Sequence, residues 1–250
     1  MKTKLKKFIE YYLIFCIYAL IGWLYEVLWM RFVVSPHKWI NRGVLIGAFL
    51  PIYGFGMLLL YVLLWKTMQK KHPITNINYR LIALTTFTTF IYTTIVEYTT
   101  PKIYNVIDYF KNYGLGLIII NIVVFTIVSI IISKSKDKEL KNYNLTVILI
   151  FLAIWIIATV IEYLSHFVMD KYFHVILWDY TKDFLNVNKR INWDASRNFA
   201  IGGTFLLYIV QPFINKLLKI LKETQKTNIA SVLGIPMLFD FIFHVILKII

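Results

Sequence analysis

Acidic side chains are scarce in this 250-residue chain: 13 aspartates and glutamates stand against 27 lysines and arginines, and charged residues of both signs make up only 16%. Soluble globular domains carry about 25% charged residues and about 45–50% apolar ones. Here 59% of the residues are hydrophobic and the mean hydropathy is +0.66. A water-soluble fold is thereby excluded, because this much apolar surface needs lipid as its solvent. Cysteine is nearly absent, and the single Cys16 lies in an apolar run, which excludes a disulfide framework. Ten glycines and six prolines are too few for collagen or low-complexity disorder. Regular heptads, a glycine-rich phosphate loop, a GxSxG nucleophile and an HExxH metal motif are all missing. The chain therefore carries no ATPase of its own, and catalysis is the less favoured reading.

What is present is a series of apolar runs. A transmembrane helix needs about 20 mostly apolar residues, and seven stretches qualify: about 9–30, 43–65, 81–100, 113–133, 145–168, 199–218 and 229–249. The expected fold is an all-α polytopic helix bundle of about seven transmembrane helices, forming a single transmembrane domain over 1–250. The first run follows Lys2, Lys4, Lys6 and Lys7 but is too long for a signal sequence and lacks a small-residue cleavage site, so it is expected to remain as a helix. The third is rich in threonine, and the seventh contains Pro236, Asp240 and His244, which are expected to face protein rather than lipid.

Lysine and arginine collect in cytoplasmic segments near span ends. Alternate connections each carry four, and these hold 16 of the 27 basic residues. The expected topology has the N-terminus in the cytoplasm and the C-terminus outside. The charge of +14 then reflects topology and contact with anionic membrane lipids, not nucleic-acid binding. Trp29, Trp39, Trp178 and Trp193 fall near the expected outer boundary, as in an aromatic belt.

Ionisable groups inside spans are costly and mark functional sites by default. Glu26, Glu97 and Glu162 each fall within a turn or two of the expected outer boundary, which would place them in one leaflet. Arg42, in Asn41-Arg42-Gly43, is the candidate basic partner. Pro51 is expected to kink the second span, and Gly43 and Gly47 form a small-xxx-small pair suited to helix packing. A broken helix lining a binding site is the alternative. Glu162, His166, Asp170 and His174 recur every four residues and would share a helix face. A solvated helix end accounts for that stripe better than a metal site does. The connection that follows mixes aromatic, acidic, amide and basic residues, including Trp178-Asp179-Tyr180, Asn186 and Arg190, in the manner of an ordered cap at the membrane surface. Thr94-Ile95-Val96-Glu97-Tyr98 and Thr159-Val160-Ile161-Glu162-Tyr163 are alike, so either a diverged two-helix duplication or chance explains them.

Taken in order, Tyr18-Ala19-Leu20-Ile21-Gly22-Trp23-Leu24-Tyr25-Glu26, Asn41-Arg42-Gly43, Pro51-Ile52-Tyr53-Gly54-Phe55-Gly56, Ile161-Glu162-Tyr163, Trp178-Asp179-Tyr180, Asn186 and Arg190-Ile191 resemble the CmpB-like ABC-transporter type IV family. The resemblance covers roughly 9–65 and 146–215, with an extra helix pair within 66–145 between the two parts. Lys189 stands where the family usually has glycine, and Phe199-Ala200 where a Trp-Gly pair is common. The resemblance implies a multi-pass permease-type protein of the bacterial plasma membrane. A separate ATPase subunit and an oligomeric assembly are its implied partners.

The expected ligand-binding site joins Glu26, Asn41, Arg42, Glu97, Glu162, Trp178, Asp179, Tyr180, Asn186 and Arg190 near the outer leaflet, without metal or cofactor. Its carboxylates would take a cationic or hydrogen-bonding ligand or exchange protons, while Arg42 and Arg190 orient them. Two alternatives remain: a membrane-embedded enzyme acting on lipid or cell-envelope intermediates with Glu162, His166 or Asp179 as acid or base, and a non-catalytic scaffold subunit.

Overall fold

The computed structural model describes residues 3–31, 39–41, 45, 47–71, 123, 143–183 and 185–243. The expected third and fourth spans, 81–100 and 113–133, lie outside the described residues apart from Val123, as do Arg42, Gly43, Glu97 and His244. The described chain is almost entirely helical: α1 (Thr3–Trp29), α2 (Pro51–Lys71), α3 (Tyr143–Phe173), α4 (Trp193–Phe205), a π-helical turn Leu206–Val210, α5 (Gln211–Ile220) and α6 (Glu223–Phe241). In lipid the backbone has no water to bond to, so an apolar run must satisfy its own amides, and a helix does this within one segment.

Among the described residues, three helices are long and apolar enough to cross a membrane: Lys4–Trp29, Ile150–Phe173 and Trp193–Ile220. Pro51–Lys66 is a shorter apolar helix. The exterior is apolar as well, with Phe55, Ile156, Phe213, Val232 and Phe239 each more than half exposed. In water such a surface would drive association; in a bilayer it is the surface that lipid covers.

Contacts divide the chain into two compact units, one of Met1–Val62, Ile161–Trp178 and Gln211–Ile250, the other of Leu63–Val160 and Asp179–Val210. In the first unit α1 and α2 run antiparallel. Tyr11 meets Tyr61 edge to face with ring centroids 6.2 Å apart, Phe15 meets Phe55 at 4.7 Å, and Gly22 lies against Tyr53. α1 and α6 run in the same direction: Glu10 pairs with Lys226, Tyr12 occupies the space beside Gly234, and Met237 packs with Phe15, Cys16 and Ala19. Leu45 completes this core, and Met169 and Phe173 of α3 pack against it.

The second span differs from the expected 43–65. Its helix starts at Pro51, and residues 45 and 47–50 are not helical. Proline fits the first helical position, where its missing N–H would have no intrahelical partner anyway, so Pro51 begins the helix and does not kink it. Gly47, expected to pack on a helix face, lies in the bend before it. Pro236 also departs from expectation: it sits inside α6 on the exposed side, where an apolar ring is at home in lipid, while Asp240 turns inward.

In the second unit, the first part of α3 meets α4. The Trp155 indole N–H donates to Ser196 Oγ at 2.6 Å, the Thr159 and Ser196 hydroxyls are 2.5 Å apart, and Trp155 and Trp193 meet edge to face at 5.3 Å. The sixth span begins earlier than the expected 199, because Asn192 caps the helix by accepting from the Ala195 amide at 2.7 Å. Arg197, placed in a loop from sequence, is a buried helical residue paired with Asp194 at 3.0 Å. The preceding segment folds back through an antiparallel bridge between Val187 and Ile191.

Asn188 and Lys189, at φ 52° and 64°, make the turn of that bridge. This left-handed region is one that glycine enters without a steric cost and that most other residues resist. Lys189 is the position at which the resemblance leads to an expectation of glycine, and its left-handed backbone is one that glycine adopts without cost. Lys189→Gly is expected to raise the thermal midpoint in detergent slightly, by up to about 1 kcal/mol of stability. A lowered midpoint would contradict this account of the turn.

Candidate functional site

The non-helical stretch before α2 lies deep in the first unit. The Leu50 amide donates to the Ala19 carbonyl at 2.9 Å, and Leu45 and Leu50 are both buried. Ala19 lies ten residues before Trp29 in α1, or about 15 Å at a rise of about 1.5 Å per residue. The described residues just before α2 are thus irregular at the depth of the middle of α1. Backbone of this kind must find partners from neighbouring elements at such depth.

Four side-chain hydrogen bonds surround this stretch, and two of them reach its backbone directly. The Trp23 indole N–H donates to Asn41 Oδ1 at 2.6 Å, and the Asn41 amide donates onward to the Leu45 carbonyl at 3.2 Å. The Gly47 amide donates to Asp240 Oδ2 at 2.6 Å, joining positions 193 residues apart. The Tyr53 hydroxyl donates to Glu26 Oε1 at 2.6 Å. Gly22 permits this last contact, since a Cβ there would fall on the Tyr53 side chain.

Of the residues expected to form a site, Glu26, Asn41, Glu162 and Trp178 belong to this first unit. Glu26 lies three residues from the end of α1. Glu162 is deeper in its helix than expected: α3 continues to Phe173, so Glu162 falls at the middle of the Ile150–Phe173 span. It is 2% exposed, and His166, one turn on, is also buried and meets the Trp178 ring edge to face at 5.2 Å. The four-residue stripe separates, because helix α3 ends at Phe173 and His174 turns the chain at φ 53°. Among the described residues, no three His, Cys, Asp or Glu side chains converge as a metal site would require.

Asp179, Tyr180, Asn186 and Arg190 belong to the second unit, where they fold their own loop. Asp179 accepts from the Thr181 amide at 2.9 Å and from the Thr181 hydroxyl. The Tyr180 amide donates to the Lys189 carbonyl at 3.0 Å, and the Arg190 amide to that of Val187 at 3.0 Å. The Asn186 side-chain amide donates to the carbonyls of Asp183 and Thr181 at 3.1 and 3.3 Å. The ordered cap expected from composition is thus a turn stapled by its own polar side chains.

Reading the sequence missed Trp23, Gly47 and Tyr53 as polar partners and passed over Asp240 in assembling the site. Asp240 carried a usable signal, being a carboxylate in an apolar run. Gly47 carried none, since only its backbone takes part.

The chain matches one protein family, described as "Putative ABC-transporter type IV", over residues 13–111 and 108–245. No curated protein and no solved structure matches it. The two matched stretches take in nearly the whole chain, including α1, the interrupted second span and the Glu162 helix. With its apolar helices and lipid-suited exterior, the chain belongs to the ABC-transporter type IV family as a multi-pass membrane protein of permease type.

Proposed function

We propose that the interrupted start of the second span forms the binding site of a plasma-membrane permease, open toward the outer leaflet when the N-terminus is cytoplasmic. The observation that carries this reading is the irregular backbone of residues 45 and 47–50, with Leu50 packed at the level of Ala19 in the middle of α1. Membrane proteins keep such backbone where it lines a cavity or meets a neighbouring element, and transporters place substrate sites at discontinuous helices. Glu26 supplies a carboxylate beside this break, oriented by Tyr53, and Trp23 and Asn41 fix the chain opposite it. Glu162 and His166 add a buried acid and base at mid-span. A carboxylate-rich site without a phosphate-binding loop suits a cationic or hydrogen-bond-donating solute. Energy from ATP would come from a separately encoded subunit.

A thermal-shift screen of small cationic solutes on the purified protein tests this reading, since a ligand that binds only the folded state at about 100 times its Kd adds about 2.7 kcal/mol. At least one such solute is expected to raise the unfolding midpoint. Glu26→Gln is expected to remove that rise while keeping the midpoint of the ligand-free protein within about 1 kcal/mol, because the amide oxygen still accepts from Tyr53. A rise that survives in Glu26→Gln would place the site elsewhere. Orientation has its own check: with Cys16→Ser as background, single cysteines introduced at Ser35 and Asp183 are expected to react with an impermeant thiol reagent on intact cells. Labelling only after lysis would remove the outer-leaflet assignment.

A further inference from the structure

The opposite end of the first unit holds a second set of polar contacts that the site above does not use. Lys226, near the start of α6, is buried, and its ammonium lies 2.5 Å from Glu10 Oε1 and 3.1 Å from Glu223 Oε1. Lys6 approaches the other Glu223 oxygen at 4.0 Å. The hydrogen bond to Glu10, aided by Glu223, holds the Lys226 pKa above the usual lysine value against the opposing effect of burial. Lys226 is therefore charged at every physiological pH, and its own charge is lost only as pH rises through that raised value. Beside Glu10, Tyr11 packs edge to face on Tyr61, and the Glu10 charge acts on the Tyr61 hydroxyl.

From Tyr61 the polar contacts continue inward. Its hydroxyl is hydrogen-bonded to Asn215, and Asn215 Oδ1 accepts from the Gln211 side-chain amide at 2.9 Å. Gln211 is 0% exposed, and its Oε1 has no hydrogen-bond partner among the described residues. It stands nine residues before Ile220, about 14 Å in from that end of the span. A π-helical turn, Leu206–Val210, immediately precedes it, a feature that recurs at functional positions in helices. A buried amide oxygen left without a donor costs about 1–3 kcal/mol. A string of amide and hydroxyl groups ending on such an acceptor calls for a donor to arrive there.

We propose that Glu10, Tyr61, Asn215 and Gln211 line a hydrated track from the Lys226 end of the bundle into the membrane interior, closed at its mouth by the Lys226 ion pairs. Its occupant is a hydrogen-bond donor, water or a small ammonium-type cation, received by Gln211 Oε1. The carboxylates at the mouth favour cations over anions, and Lys226 is the charge that must move for one to enter.

Reaction rates with a small cationic methanethiosulfonate reagent, measured on the full chain in nanodiscs with Cys16→Ser as background, test the track. Asn215→Cys is expected to react slowly while Lys226 is paired and at least 10-fold faster when Lys226→Met or Glu10→Gln is added. Leu217→Cys, on the exposed apolar side of the same helix, is expected to stay slow in every background. Using both mouth variants keeps the result readable if one of them fails to fold. Equal rates at Asn215→Cys with and without the mouth substitutions would overturn the closure. A rate at Leu217→Cys as high as at Asn215→Cys would overturn the track itself.

Discussion

Gly22→Leu is expected to abolish the folded α1–α2 pair, so that it aggregates or is degraded to a much greater extent than the parent chain in the same detergent. A Cβ at position 22 would stand 2.5 Å from Tyr53 Cβ and 2.6 Å from its Cδ2. Those atoms lie next to the α2 backbone and cannot swing aside as the tip of a long side chain can. Relief requires the two helices to separate. Inserting bulk into a packed core costs about 1–3 kcal/mol where the surroundings relax, and here the shift would also break the Tyr53–Glu26 hydrogen bond and the Leu50–Ala19 backbone bond. Gly22→Ala is expected to fold with a lowered thermal midpoint. An unchanged midpoint in Gly22→Ala would mean that α1 and α2 do not pack this closely.

Asp240→Ala is expected to destabilise by about 1.5–3 kcal/mol, the range for losing a hydrogen bond to a charged group and stranding its donor. The donor is the Gly47 amide, in a stretch with no helix of its own to bond to. Asp240→Asn keeps an acceptor oxygen at the same place, so it is expected to recover more than half of that loss. The paired variants separate the latch from simple packing: equal thermal midpoints for alanine and asparagine would show that the Gly47 contact contributes nothing. Limited proteolysis between Trp39 and Pro51 provides a local readout, with cleavage faster in Asp240→Ala and close to the parent rate in Asp240→Asn.

These two positions show where reading the chain stops. Apolar runs over 9–30 and 145–168 identify α1 and α3, because partition into lipid is close to a sum over consecutive residues. The boundaries are harder. The expected second span began at 43, but its helix starts at Pro51, and residues 45 and 47–50 are not helical. The proline was visible; its role as the first residue of a helix and not a kink within one was decided by the Leu50–Ala19 contact. Glu162 was recognisable as a costly carboxylate, yet its depth depended on where α3 ends, and the turn at His174 sets that. In the connection after Trp178, the same polar composition suits a ligand site and a self-stapled turn equally well. Asp179 and Asn186 are engaged in the turn.

The sequence by itself determined that this protein lives in a membrane, that it is helical, and which family it resembles. Hydropathy, the absence of partnered cysteines and an ordered set of short motifs are local properties that need no knowledge of neighbours. Only the tertiary structure decided which polar groups meet. Gly47 with Asp240 and Glu10 with Lys226 join residues 193 and 216 positions apart. No spacing rule reaches across such distances: the Glu10–Lys226 pair follows from α1 and α6 lying side by side in the same direction, and the Gly47–Asp240 bond from the stretch before α2 meeting the end of α6. In a lipid-solvated bundle a polar group inside needs a partner, and where that partner lies on a distant element, packing, which a linear pattern does not encode, decides the pair.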